Sequence, residues 1–202
     1  MAGKFKTILL LGAPGTGKGT QGEMLGKLPG VVHVACGDVF RALDKTSDLG
    51  KVFLQYSTKG ELVPDDFTVK LWKEHIDRLI REGKFKPAAD QLVLDGIPRN
   101  TNQAKILDQY IEVVRIVSLR CDHDIDSIVG RMKARALKQN RPDDANEQTI
   151  RRRFEVYDAR DPASDRVPLA QVNYNFEQSL RYRTLRWSMP AYAFPIKLRG
   201  LP

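Results

Sequence analysis

The feature that most constrains this chain is a glycine-rich loop close to its amino terminus. Residues 12–20 read GAPGTGKGT, they follow the short apolar run Ile8–Leu11, and apolar residues between Met24 and Leu28 recur at helical spacing. A strand, a glycine-rich turn and a helix in this order form a unit in which backbone N–H groups and a lysine surround a chain of phosphates. The segment therefore predicts a polyphosphate-binding loop, with Lys18 as its mobile positive charge.

The loop departs from the general motif at one position. Gly19 stands directly after Lys18, where most such loops carry a hydroxyl residue that helps to hold magnesium, and Thr20 is the next hydroxyl available. A glycine-rich turn without a ligand is the alternative, and the strand before the loop and the helix after it argue against that alternative. The loop residues predicted to contact ATP are Gly15, Thr16, Gly17, Lys18, Gly19 and Thr20.

Apolar runs alternate with helical patterns along the chain. Leu92–Leu94 and Val113–Leu119 are continuous apolar runs of the kind found in buried parallel strands, and Val31–Ala35 is a further short strand. Strands that alternate with helices predict an α/β fold with a doubly wound parallel sheet. Ligands of such sheets bind beyond the carboxyl ends of the strands. The residues expected at that edge are Gly12, Asp38, Asp95 and Asp122, and Asp38 is also predicted to cap a helix.

Size, charge and cysteine content narrow the class of protein. The 202 residues, 42% of them hydrophobic, suffice for one medium-sized domain with small insertions. The net charge of +8 fits nucleic acid, an acidic membrane surface or a small polyanion such as a nucleotide. Cys36 and Cys121 lack the spacing of a metal site or a disulfide framework, and no apolar stretch has the length of a signal peptide or a membrane span. We expect a reduced, monomeric, cytoplasmic protein that binds neither membranes nor nucleic acid.

Five segments resemble, in order and in spacing, the adenylate kinases and related nucleoside monophosphate kinases. The resemblance extends from about residue 6 to about residue 158, and the segments are the loop Gly12–Gln21, the GDVFR run Gly37–Arg41, the GELV run Gly60–Val63, the DGIPR run Asp95–Arg99, and an arginine-rich stretch with Arg131, Arg135, Arg141 and Arg153. It implies a P-loop NTPase fold, a three-layer α/β sandwich. The expected single domain carries a monophosphate-binding insert at about residues 36–66 and a short lid at about residues 131–145 without structural zinc.

The resemblance also implies a role for each site residue. Arg41 and Arg99 hold the phosphate of the monophosphate, Gln103 reads its base, and Arg131 stacks on the adenine of ATP. Asp95 orients Mg²⁺ through bound water. The implied catalytic residues are Lys18, Asp95, Arg99, Arg135, Arg141 and Arg153. The implied monophosphate-binding residues are Cys36, Arg41, Glu61, Leu62, Val63, Gly96, Ile97, Pro98, Arg99, Gln103, Arg141 and Arg153. Without the resemblance, the arginines of the lid would be interpreted as solvated helix faces.

The implied reaction is reversible phosphoryl transfer from Mg²⁺-bound ATP to AMP, which gives two ADP. Adenylate kinases usually have threonine where this chain has Cys36, and the pyrimidine enzymes tend to have alanine there. Gln103 favours AMP. A kinase for UMP or CMP stays open as an alternative. So does a protein that binds nucleotides without turnover because its C-terminal part is aberrant.

The resemblance ends near Tyr157. The tail from Asp158 to Pro202 contains scattered prolines and arginines and no sustained period of 2 or 3.6 residues, so the sequence predicts a tail of uncertain fold and a sheet without its last strand and helix. Permitted codons for 159–168, read shifted by one base, can encode RETRPVIEY, which resembles what the family has at this point. A reading-frame shift near Ala159 is therefore one hypothesis for the tail.

Overall fold

The computed structural model describes residues 3–120, 125–139, 141, 144–160 and 184–188. Within these residues, five strands form one parallel sheet in the order β2-β3-β1-β4-β5. The strands are β1 (Phe5–Leu11), β2 (Val31–Ala35), β3 (Gln91–Asp95), β4 (Ile111–Arg120) and β5 (Thr184–Ser188). The helices are α1 (Lys18–Leu25), α2 (Cys36–Arg41), α3 (Asp48–Ser57), α4 (Asp65–Arg81), α5 (Thr101–Leu107), α6 (Ile125–Gln139) and α7 (Glu147–Arg160). The predicted doubly wound α/β fold is confirmed.

Strand β1 lies in the middle of the sheet, and its two faces are buried in two different parts of the core. Leu9 is fully buried in a large cluster with Trp72 of α4, whereas its neighbours Ile8 and Leu10 belong to a second cluster with Leu25 of α1. Successive side chains of a strand point to opposite faces, so a strand covered on both sides needs a continuous apolar run. This explains why the apolar runs in the sequence predicted the central strands correctly.

Helix α4 buries its apolar stripe in the same large cluster as Leu9. Trp72 and Ile76 are completely buried, and Val69 is nearly so. Phe67 stacks on Phe40 of α2 with ring centroids 6.3 Å apart. Both aromatic residues of α4 therefore serve packing.

Asp38 does not cap a helix, which corrects the sequence-based prediction. Helix α2 begins at Cys36 with Ala35 as its N-cap, and Asp38 lies in the first turn. The prediction was wrong because the chain enters the helix directly from β2, two residues earlier than the aspartate. The Asp38 carboxylate accepts hydrogen bonds from arginine side chains instead.

The tail contributes a fifth strand, which corrects the expectation of a sheet without its last strand. Thr184–Ser188 pairs in parallel with Ile116–Arg120 of β4. Five residues are too few to show a reliable periodicity, so pattern analysis did not detect this strand. The expectation of a missing terminal helix falls outside the described residues, as does the expected position of Asp122.

Candidate active site

A cleft of about 220 Å³ opens at the carboxyl ends of β1, β2 and β3. Its walls come from the glycine-rich loop after β1, helix α2 after β2, the DGIPR run after β3, and the facing sides of α6 and α7. This is the edge where the sequence predicted a ligand site, because parallel strands deliver their following loops to one side of the sheet.

The glycine-rich loop is folded as a tight turn that ends at the start of α1. Gly15 and Gly17 adopt φ of 78° and 91°, and a Cβ at Gly15 would lie only 2.6 Å from the Ile128 side chain. The Lys18 ammonium donates to the carbonyl oxygens of Gly12 and Ala13 at 2.6 and 2.8 Å. The loop thus holds its cation beside the N-terminus of α1, and a positive charge at a helix N-terminus favours a bound phosphate.

Asp95 ends β3 and faces this loop. The side chain is buried, and its Oδ2 lies 3.8 Å from the position of a Cβ at Gly19. The absence of a side chain at Gly19 leaves room between the carboxylate and the first turn of α1. An oxygen ligand is therefore placed beside the phosphate loop, as a hard divalent cation requires.

Asp38 joins two arginines from distant parts of the sequence. Arg41 donates to Asp38 Oδ1 at 2.6 and 3.2 Å, and Arg141 donates to the same oxygen at 3.3 Å. Burial lowers the pKa of Arg141, and the nearby charges of Arg41 and Arg135 lower it further. A cluster of guanidinium groups that repel one another is a strong site for an anion.

Asp144 organises the other two arginines of the cleft. Its carboxylate is completely buried and forms ion pairs with Arg135 of α6 and Arg153 of α7. The Nε of Arg135 is buried as well and has no hydrogen-bond acceptor in the part of the chain that the structure describes.

Cys36 and Gln103 lie on the wall of the cleft that is furthest inside the protein. Burial raises the pKa of Cys36 to about 12, with Arg99 acting in the opposite direction, so the thiol stays protonated at neutral pH. Gln103 is 1% exposed. Its Oε1 accepts the Arg99 N–H at 2.7 Å, and its Nε2 donates to Asp65 at 2.8 Å.

Nearly all of the predicted site residues line this one cleft. Those that do are Gly15, Gly17, Lys18, Gly19, Thr20, Cys36, Arg41, Glu61, Leu62, Val63, Asp95, Gly96, Pro98, Arg99, Gln103, Arg135, Arg141 and Arg153. Thr16 and Ile97 are buried beside it, and the Thr16 hydroxyl donates to the Ala13 carbonyl. Arg131 lies at an exposed position of α6 and does not form part of the cleft wall, so its stacking on ATP stays a prediction.

Sequence reasoning missed the acidic partners of the arginines. The sequence analysis placed Asp38 at the ligand edge and at a helix cap, and did not pair it with an arginine. It assigned no role to Asp144 or to Asp65, which holds Gln103. The one available signal was the pair of aspartates that follows Arg141 and Pro142.

The described residues contain no group of three or more histidine, cysteine or acidic side chains that could enclose a metal ion. None of the helices in this part of the chain is both long enough and apolar enough to span a bilayer.

Comparison with known proteins confirms the resemblance. A family model described as adenylate kinase matches residues 10–163. The adenylate kinase of Streptomyces coelicolor is 32% identical over an alignment 181 residues long, and the match covers 74% of this chain and 80% of that protein. The adenylate kinases of Flavobacterium psychrophilum and Thermobifida fusca are 35% and 38% identical over 156 and 154 residues, and in both cases 74% of this chain and 77% of the relative are covered. The chain therefore belongs to the adenylate kinase family.

Proposed function

We propose that the protein transfers the γ-phosphoryl group of ATP to AMP, reversibly, to give two molecules of ADP. The observation that carries the proposal is the convergence of Lys18 and five arginines on one cleft beyond the phosphate loop. These arginines come from α2, the DGIPR run, the lid and α7, and they are Arg41, Arg99, Arg135, Arg141 and Arg153.

Phosphoryl transfer between two nucleotides needs positioning and neutralisation of charge more than covalent participation of the protein. In this proposal the loop and Lys18 bind the phosphates of ATP. Arg41 and Arg99 bind the phosphate of AMP. Arg135, Arg141 and Arg153 surround the phosphoryl group in transit, and their planar guanidinium groups can each donate two hydrogen bonds to its oxygens.

The acidic partners fix these guanidinium groups before a substrate arrives. Asp144 holds Arg135 and Arg153, while Asp38 holds Arg41 and Arg141. A charge that is already oriented does not have to reorganise as the transition state forms. We infer that the two aspartates contribute to rate by positioning the arginines.

Magnesium bound with ATP fits the residues beside the loop. Asp95 supplies a buried carboxylate close to the first turn of α1, and Mg²⁺ typically uses one or two carboxylates, several waters and the substrate phosphates. When bound, the ion neutralises charge on the phosphates. Asp95 is the residue that we propose to orient it, through water.

The wall formed by Cys36 and Gln103 would receive the base of the monophosphate. The insert at about residues 36–66 and the lid at about residues 131–145 would close over both nucleotides and exclude water, which suppresses hydrolysis of ATP. Cytoplasmic localisation and a monomeric state stay predictions from the sequence.

A coupled assay of ADP formation from ATP with AMP, CMP or UMP as acceptor tests the proposal. We expect kcat/KM to be highest for AMP. A preference for UMP or CMP would replace the proposal with a pyrimidine monophosphate kinase. ATP binding without ADP formation from any acceptor would identify a nucleotide-binding protein that lacks turnover.

A further inference from the structure

The side-chain amide of Gln103 is fixed at both ends by groups of opposite hydrogen-bonding character. Its Oε1 accepts the backbone N–H of Arg99 at 2.7 Å, and its Nε2 donates to Oδ1 of Asp65 at 2.8 Å. A backbone N–H only donates, and a carboxylate only accepts. The amide therefore cannot rotate by 180° without placing donor against donor and acceptor against acceptor.

Asp65 is held in place by further amides. It lies in the first turn of α4, its Oδ1 also accepts from Asn100 at 2.8 Å, and its Oδ2 accepts from Asn102 at 2.9 Å. Asn100 in turn accepts the backbone N–H of Gln103 at 2.8 Å. The carboxylate thus has one orientation, set by amides from both sides of the start of α5.

The two hydrogen bonds use half of the hydrogen-bonding capacity of the Gln103 amide. A primary amide has two N–H donors and two acceptor lone pairs, so one donor and one acceptor remain. Gln103 is part of the cleft wall together with Cys36. With rotation of the amide blocked, the wall presents this donor and this acceptor in a single order.

We propose that Asp65 is a positioning residue that, through Gln103, restricts the acceptor to monophosphates whose base carries an amino group beside an unprotonated ring nitrogen. The inference rests on the proposed function, in which Arg41 and Arg99 fix the phosphate end and the base edge meets Gln103 in one direction. Adenine offers an amino donor and a ring acceptor. Hypoxanthine has nearly the same outline but reverses both groups, so IMP would leave buried hydrogen-bonding groups unpaired.

Equilibrium dissociation constants for AMP and IMP test the inference. We expect the unaltered protein to bind AMP at least tenfold more tightly than IMP. In Asp65→Asn, an amide of almost the same shape can either donate to Gln103 or accept from it, so the preference for AMP should fall about tenfold. Asp66→Asn is the matched control, because Asp66 is exposed in the same helical turn and loses the same charge. It should keep the preference.

A double-mutant cycle shows whether Asp65 acts through Gln103. Gln103→Leu should remove the preference for AMP over IMP, and adding Asp65→Asn to that variant should change the preference no further. A further change in the Gln103→Leu background would overturn the inference. Equal weakening of AMP and IMP in Asp65→Asn would also overturn it, since a purely structural role weakens both.

Two measurements separate this result from loss of folding and from failure of the proposed function. An unchanged dissociation constant for ATP shows that the cleft of the variant is folded, and Asp65→Ser, whose hydroxyl also donates and accepts, replaces Asp65→Asn if the latter does not fold. ADP formation is measured separately. A protein that binds AMP in preference to IMP through Asp65 but forms no ADP supports the inference and contradicts the proposed function. A protein that forms ADP, and whose preference for AMP over IMP is unchanged in Asp65→Asn, supports the proposed function and contradicts the inference.

Discussion

At the scale of single residues, the arginines of the cleft differ in the hydrogen-bond acceptors that the protein places beside them. Four are paired with two carboxylates, Arg41 and Arg141 with Asp38, and Arg135 and Arg153 with Asp144. Arg99 instead donates its Nε–H to the carbonyl oxygen of Gly96 at 2.8 Å. Within the part of the chain that the structure describes, Arg99 is therefore the cleft arginine with no carboxylate partner, and it should depend most on a substrate phosphate.

Replacing Arg99 by alanine should lower kcat/KM for AMP roughly a hundredfold or more, because a charge-assisted contact to the acceptor phosphate is lost. The dissociation constant of ATP should change little. Arg81→Ala, which removes an exposed arginine at the end of α4, is the control and should leave both quantities unchanged. Steady-state kinetics and calorimetry provide the measurements, and unaltered turnover in Arg99→Ala would contradict the assignment.

Asp144→Asn should cost stability as well as activity. The amide of asparagine carries no charge and cannot neutralise Arg135 and Arg153. The two arginine side chains are 32% and 21% exposed, so solvent partly compensates them. We expect the free energy of unfolding to fall by about 2 kcal/mol. Urea denaturation measures it. Asp126→Asn breaks an ion pair with Arg151 in which the aspartate is 75% exposed, and it should leave the free energy of unfolding nearly unchanged. If both variants lost the same free energy of unfolding, the burial of Asp144 would not increase the contribution of its ion pairs to stability.

At the scale of elements, the unit formed by β1, the glycine-rich loop and α1 carries the phosphate site. Gly15 and Gly83 both have positive φ, 78° and 69°, but they differ in their surroundings. A Cβ at Gly15 would meet Ile128 of α6 at 2.6 Å, whereas a Cβ at Gly83 would have no atom within 4 Å among the described residues. Substitutions at these two glycines therefore distinguish the effect of backbone strain from the effect of a steric clash.

Gly15→Ala should lose stability and also weaken ATP binding about tenfold or more, because the loop must move away from α6. Gly83→Ala should lose about 1 kcal/mol from backbone strain alone and keep its affinity for ATP. Thermal unfolding and titration with ATP measure the two effects. If both variants bound ATP equally well, the close packing of the loop on α6 would have no part in forming the site.

The elements also show which parts of the structure a sequence can predict. The strand, glycine-rich turn and helix around Gly12 to Thr20 were predicted correctly, because the residues that determine them are neighbours in the sequence. The pair of Arg141 with Asp38 was not, because the two residues are 103 positions apart and meet only in the folded chain. The pair of Asp38 with Arg41 inside α2 was missed because Asp38 had been assigned to a helix cap. The start of α2 was misplaced, because a good capping residue at Asp38 competes in the sequence with a direct entry from β2.

At the scale of the whole molecule, the sheet is completed by the tail. Strand β5 covers the edge of β4 along Ile116–Arg120, although the match to the adenylate kinase family model ends at residue 163. This pairing does not test the hypothesis of a reading-frame shift near Ala159, because a five-residue strand can form from many different sequences. Sequencing the gene across codon 159 decides it, and an intact frame would end the hypothesis.

Deleting residues 161–202 should expose the edge of β4 and lower the stability of the domain. We expect a fall in melting temperature of about 4 °C, equivalent to roughly 1–2 kcal/mol, and a greater tendency to aggregate through the open edge. Deleting only 189–202 keeps β5 and is the matched control. Calorimetry compares the two. The same melting temperature in both would mean that β5 adds no stability to the sheet.

Four of the five arginines of the cleft are paired with Asp38 or Asp144 before a substrate arrives. A phosphate that binds any of these four has to compete with a carboxylate for the guanidinium group. The net gain in binding is the difference between two anions, which is small for a carboxylate or another monoanion. It becomes large for a phosphate dianion with three oxygens. We therefore expect the four pairs to weaken the binding of smaller acids more than the binding of nucleotide phosphates.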